Sequence, residues 1–194
     1  MELKLLSIAA VVIASCIVMI VHEIPKTIVF FCLEKRKNLI KQLLKSYQHI
    51  DPIGLIFSIA GYSGFSKAYM LRAKRDKDNI LLGVAGYITL FVLFLIGILV
   101  CKFGFGAIDT LTNPQLLLFL TFQYISIMSF GMFVVNLFPI MSLDMGLIIA
   151  GISRDKYFSI IRNDYFLKMI LVLSVLLGII RSMGVGAFLF LYQI

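Results

Sequence analysis

Two groups of ionisable residues stand where an apolar chain should avoid them. His22, Glu23 and Lys26, with Pro25 among them, fall inside the first long apolar segment, and Asp144 closes the uncharged run that carries Asn136 and Pro139. A charge at membrane depth is costly and normally faces a partner or a watery cavity, so each is a functional candidate by default. Residues three and four apart on a helix are neighbours, so Lys26 can reach both His22 and Glu23. Imidazole and carboxylate can bind a metal or carry a proton, whereas an ammonium has no lone pair and can only donate. Lys26 therefore has two readings. It pairs with carboxylates, or it snorkels to the interface and leaves its stem in the apolar layer.

The elements that must hold these residues are helices. Of the 194 residues, 61% are hydrophobic and 14% charged, against about 25% charged in an ordinary soluble domain. The apolar residues collect in long uncharged runs, which predict a polytopic, all-α membrane domain with about four spans over residues 5–33, 80–101, 116–137 and 169–192. The first, read as one helix, measures roughly 43 Å at 1.5 Å per residue. It must tilt, kink or protrude from a hydrocarbon core about 30 Å thick, and Pro25 sits where a kink would fall. Residues 52–66 are uncharged but short and punctuated by Gly54, Gly61 and Gly64. They read as a re-entrant or interfacial loop after the first span. Arg181 interrupts the fourth apolar segment.

The net charge of +8 comes from basic residues clustered beside the spans, a pattern that sets membrane topology rather than binding nucleic acid. Residues 34–79 hold ten of the eighteen Lys and Arg residues, and residues 154–168 hold four more. Segments 34–79 and 138–168 are therefore expected in the cytoplasm of a cell whose membrane holds the chain, with 102–115 on the other side. Membrane lipids are implied as partners. Cys16, Cys32 and Cys101 have no metal-type spacing and read as buried thiols. Ile13-Ala14-Ser15-Cys16 looks like a lipoprotein cleavage box, but the strong positive block follows the segment instead of preceding it, so the segment reads as a retained span.

Several short elements resemble the site-2 protease family of intramembrane zinc proteases, particularly its bacterial members. An H-E-x-x-H helix places two imidazoles on one face with a glutamate general base between them. His22 and Glu23 match its first half, and Leu143-Asp144-Met145-Gly146, preceded by Asn136 and Pro139, is similar to the family's L-D-G element with its third zinc ligand. His49-Ile50-Asp51-Pro52-Ile53-Gly54 resembles a further element, and Arg75-Asp76 followed by Ala85-Gly86 another. The matches run in family order from about residue 18 to residue 150.

The departures shape the expectation. Lys26 stands at the second histidine, Met145 at the glycine after the aspartate, and Tyr87 at the proline of A-G-P. The resemblance then implies metal positions His22 and Asp144, a general-base position Glu23, and a lysine that brings charge where a cation would sit. No cofactor is expected on this reading. The chain is expected to be a catalytically inactive pseudoprotease, a scaffold, regulator or subunit that binds another membrane protein or a transmembrane peptide. An active zinc protease with a ligand set rebuilt from His49, Cys16 or Cys32 is the alternative. A transporter or ion-handling subunit, with His22, Glu23, Lys26 and Asp144 as a relay, is the third.

Overall fold

The computed structural model describes residues 2–34, 39–43, 45–66, 73–105 and 112–194. The basic run at 35–37, together with Lys67, Arg72 and the middle of the 102–115 connector, lies outside the described residues. Every regular element among the described residues is helical.

The first helix, α1 (Glu2–Leu33), is continuous through Pro25, about 48 Å at 1.5 Å per residue. A short helix α2 (Leu39–Leu43) and a 3-10 turn (Ser46–His49) lead to α3 (Pro52–Gly61). Two further long helices, α4 (Asp76–Phe103) and α5 (Asn113–Asn136), pack on α1 and on each other. After them come α6 (Asp144–Ile152), α7 (Arg154–Leu176) and α8 (Ile179–Gln193). Helices α1, α4 and α5 are each long and apolar enough to cross a membrane, and the bent pair α7 and α8 makes a fourth span if counted as one.

The fourth segment differs from the single run expected over 169–192. Its helix begins at Arg154, fifteen residues earlier, and breaks at Gly178, where the two halves meet at 57°. Gly178 has a φ of 70°, a left-handed conformation that costs glycine nothing and ends the ladder of α7. The sequence signal that drew attention was the charge of Arg181, but the break is made by the glycine three residues earlier.

One apolar cluster joins Val11, Ala14 and Val18 of α1 to Leu90 of α4 and to Ile125, Met128 and Met132 of α5. A second joins α4 and α5 to Phe188 of α8. Outward from this core, α4 exposes Leu81, Ile88, Phe91 and Leu99, and α7 exposes Met169, Leu173 and Leu176. Apolar side chains outside a bundle this long make a surface for hydrocarbon, not for water.

Helix α3 starts on Pro52, with the Asp51 carboxylate accepting from the Ile53 and Gly54 amides at 2.8 and 3.0 Å, a capped first turn. Its ten residues reach about 15 Å, half a hydrocarbon core. It ends at Tyr62, whose φ of 50° turns the chain back. Residues 63–66 then run against α3 itself. A Cβ on Gly54 would lie 2.1 Å from the Phe65 carbonyl oxygen, and one on Gly64 would lie 2.0 Å from the Ser58 hydroxyl, so glycine is required at both contacts. Tyr62 at the tip packs beside the Val11–Ala14–Val18 cluster, and the returning chain ends with Ser66 against His22.

Candidate functional site

The site begins with one turn of α1. His22, Glu23 and Lys26 share a helix face that turns into the bundle, with exposures of 1%, 1% and 5%. The helix keeps its own carbonyls occupied nearby, where Thr27 donates its hydroxyl to the Glu23 carbonyl at 2.9 Å. Pro25 supplies no amide to the ladder.

The second half is built by the turn between α5 and α6. At the end of α5 the Asn136 amide donates to the Met132 carbonyl at 2.9 Å, and its side-chain oxygen accepts from the Asp144 backbone N–H at 3.2 Å. Asn136 therefore holds both ends of the turn that contains Pro139, and fixes where α6 starts. Gly146 lets that turn close, since a Cβ there would lie 2.3 Å from the Ile140 carbonyl. Helix α4 supplies the space for the carboxylate. A Cβ on Gly86 would lie 2.2 Å from Asp144 Oδ2, so any larger residue there would displace Asp144. Next to it, the Tyr87 hydroxyl donates to the Asn136 carbonyl.

These parts bring together residues more than a hundred positions apart. Lys26 Nζ donates to Glu23 Oε1 at 2.6 Å and to Asp144 Oδ1 at 2.9 Å. His22 Nε2 lies 2.8 Å from Asp144 Oδ2. Ser66, arriving from the chain that returns from α3, donates to Glu23 Oε1 at 2.5 Å and lies 3.1 Å from His22 Nδ1. Lys26 does not snorkel, because both of its carboxylate partners hold the ammonium inside the bundle. Taking the two carboxylates and the ammonium out of water is expensive, and short hydrogen bonds to every member offset that cost.

The residues do not fit a zinc centre. The ammonium occupies the gap between Glu23 and Asp144, already bonded to both. An ammonium has no lone pair with which to ligate, its charge opposes a divalent cation, and His22 and Asp144 alone are two ligands where a catalytic zinc site has three. Among the described residues no group of three or more His, Cys, Asp or Glu side chains is arranged to hold a metal ion. His49 is buried in the 3-10 turn against α1, Cys16 is half-buried, Cys32 exposed, and Cys101 buried with its thiol 3.7 Å from the Phe119 carbonyl.

Three participants were not singled out from the sequence. Ser66 is visible there only as the last uncharged residue before Lys67. Gly86 enters there only within a resemblance and Tyr87 only as a departure from it, while their contacts depend on how α4 packs: Gly86 leaves room for the Asp144 carboxylate of α6, and the Tyr87 hydroxyl donates to the carbonyl at the end of α5. No protein-family model, curated protein or solved structure matches the chain.

Proposed function

We propose that this chain is a site-2-protease-like membrane protein in which a lysine has replaced the metal, leaving a catalytically inactive scaffold, regulator or subunit that binds other membrane segments. The observation that carries the reading is the seat of Lys26 Nζ, 2.6 Å from Glu23 and 2.9 Å from Asp144. In that position the glutamate that would act as general base is neutralised by an ion pair and by the Ser66 hydroxyl. A general base has to take a proton from water, and a carboxylate held by an ammonium and a hydroxyl is a poorer acceptor for it.

The same reading gives the 52–66 segment a place. Its tip near the middle of α1 and its two ends on the side of His22 support a re-entrant hairpin that enters from the cytoplasmic face and lies over the cluster. The excess of basic residues in 34–79 supports that face as cytoplasmic, and the organisation suits a bacterial cytoplasmic membrane.

Lys26→His recreates the two-imidazole helix with Asp144 available as a third ligand. Elemental analysis of the purified variant should detect zinc that the unmodified protein lacks. Near-stoichiometric zinc in the unmodified protein would overturn the reading. Cysteine labelling at positions 46 and 112 tests the orientation. Reagent that reaches position 46 from outside intact cells would reverse it.

A further inference from the structure

Arg181 is the one charge within residues 169–194, and the fold holds it deep. One turn further along α8, Gly184 packs so closely on α5 that a Cβ would lie 2.8 Å from the Ile127 carbonyl. Ile127 stands about 21 Å from the start of α5 at ~1.5 Å per residue. In the other direction α5 ends at Asn136, which bonds Asp144, and Asp144 lies against Gly86, ten residues inside α4. That adds about 15 Å of α4 beyond the end of α5. Arg181 is thus near the middle of the apolar layer, beyond the reach of its side chain to either headgroup region.

A cation at this depth normally faces a counter-charge. Among the described residues no carboxylate lies within ion-pair distance of Arg181. The guanidinium rests over the Tyr62 ring, 4.4 Å from its centre, and the residue is exposed on the outside of the bundle. The ring occupies one face of the planar group and leaves its N–H edge free to pair. The adjoining outer face of α8 carries Ser182 and Gly186, one helical repeat of four apart, with nothing within 4 Å of a Cβ at Gly186. Small residues at that spacing let a second helix backbone approach closely. Ile179, Met183, Leu189 and Phe190 flank them as exposed apolar contacts.

We infer that Arg181, seated on Tyr62 and beside the Ser182–Gly186 face, is the docking point for a partner transmembrane helix that carries an acidic residue near its centre. Charge complementarity commits the partner. A lipid phosphate lies too far along the membrane normal. A second copy of this chain offers no suitable group among its described residues: Glu23 and Asp144 are buried in their own ion pairs, Asp76, Asp78 and Asp164 are paired with Arg154, Arg75 and Lys168, and Asp155 stands in the first turn of α7, far along the bundle from Arg181. The inference rests on the proposed binding of membrane segments and names the chemistry of the segment bound.

The test uses the full chain in phosphatidylcholine nanodiscs with a leucine-rich transmembrane peptide bearing one central aspartate, and its asparagine twin, read by energy transfer between labels. The aspartate peptide should bind at least tenfold tighter than the asparagine peptide. Arg181→Gln should abolish that preference, Arg181→Lys should retain most of it and report that the fold is intact, and Ser182→Phe should weaken both peptides. Equal binding of the two peptides to the unmodified protein would overturn the inference while leaving the scaffold reading standing, whereas failure of every peptide to bind would count against both. Loss of the preference on adding phosphatidylglycerol would assign the seat to a net-anionic lipid headgroup and overturn the inference as well.

Discussion

Lys26 lies inside α1 with 5% of its surface exposed and touches two carboxylates, whereas Arg181 lies on the outside of α8 with one aromatic ring for company. Both interrupt apolar segments, and both carry the same charge through the same expensive medium. The first is neutralised within the chain by residues from α1 and α6, with a hydroxyl from the 63–66 return closing the network. The second is not neutralised by any described residue. A charge completed internally behaves as part of the fold, and its loss is felt as instability. A charge left at the surface of the bundle contributes little to the fold and is available to a partner. The side of the helix on which the cation falls separates these two outcomes.

The largest expected effect lies on the internal side. Asp144→Ala removes one acceptor of Lys26 and the acceptor facing His22 Nε2, leaving a buried cation short of its partner. Breaking a buried pair in this way costs about 3–5 kcal/mol, which denaturation in mild detergent would read directly. A loss below about 1 kcal/mol would show that the ammonium is hydrated in the membrane and would dissolve the contrast with Arg181.

Gly86→Ala comes next. A methyl group within 2.2 Å of Asp144 Oδ2 must push the carboxylate off Lys26 and His22, at about 1–3 kcal/mol for an overpacked site. Gly186→Ala, where a Cβ meets nothing within 4 Å, is the matched control and should be near neutral. Equal costs at the two glycines would argue that α4 and α6 part easily.

Ser66→Ala deletes the hydroxyl between Glu23 and His22. A hydrogen bond to a charged group contributes about 1.5–3 kcal/mol, and the same variant should loosen residues 62–66, visible as faster protease cutting or hydrogen exchange there. Stability unchanged in this variant would detach the 52–66 segment from the cluster.

The smallest loss is expected at Arg181→Gln, which gives up a desolvated cation–π contact of about 2 kcal/mol but also removes an unpaired charge that costs about 2.5–3.5 kcal/mol at the centre of a span, so the two offset and stability should change little or rise. A stability loss as large as that of Asp144→Ala would place Arg181 among the internally satisfied charges and would remove the reason to look for its partner.

The sequence by itself determined that this chain is helical and apolar enough for a membrane. Long apolar runs leave the backbone few ways to satisfy its polar groups other than helix, and α1, α4 and α5 follow the runs that carry them. It also singled out His22, Glu23, Lys26 and Asp144, because ionisable residues stand out against an apolar background and the spacing on α1 needs only helical geometry. Tertiary structure decided what these residues do to one another. Asp144 reaches Lys26 because Asn136 holds the turn before α6 and because Gly86 leaves room on α4, and neither contact has a local signature. It also placed Ser66 in the cluster through a chain reversal at Tyr62, and it set the break of the last segment at Gly178, whose left-handed φ is not written in the residue's identity. The difference between Lys26 and Arg181 is of the same kind. Each is a single cation in an apolar run, and which one finds carboxylates depends on the packing of helices far apart along the chain.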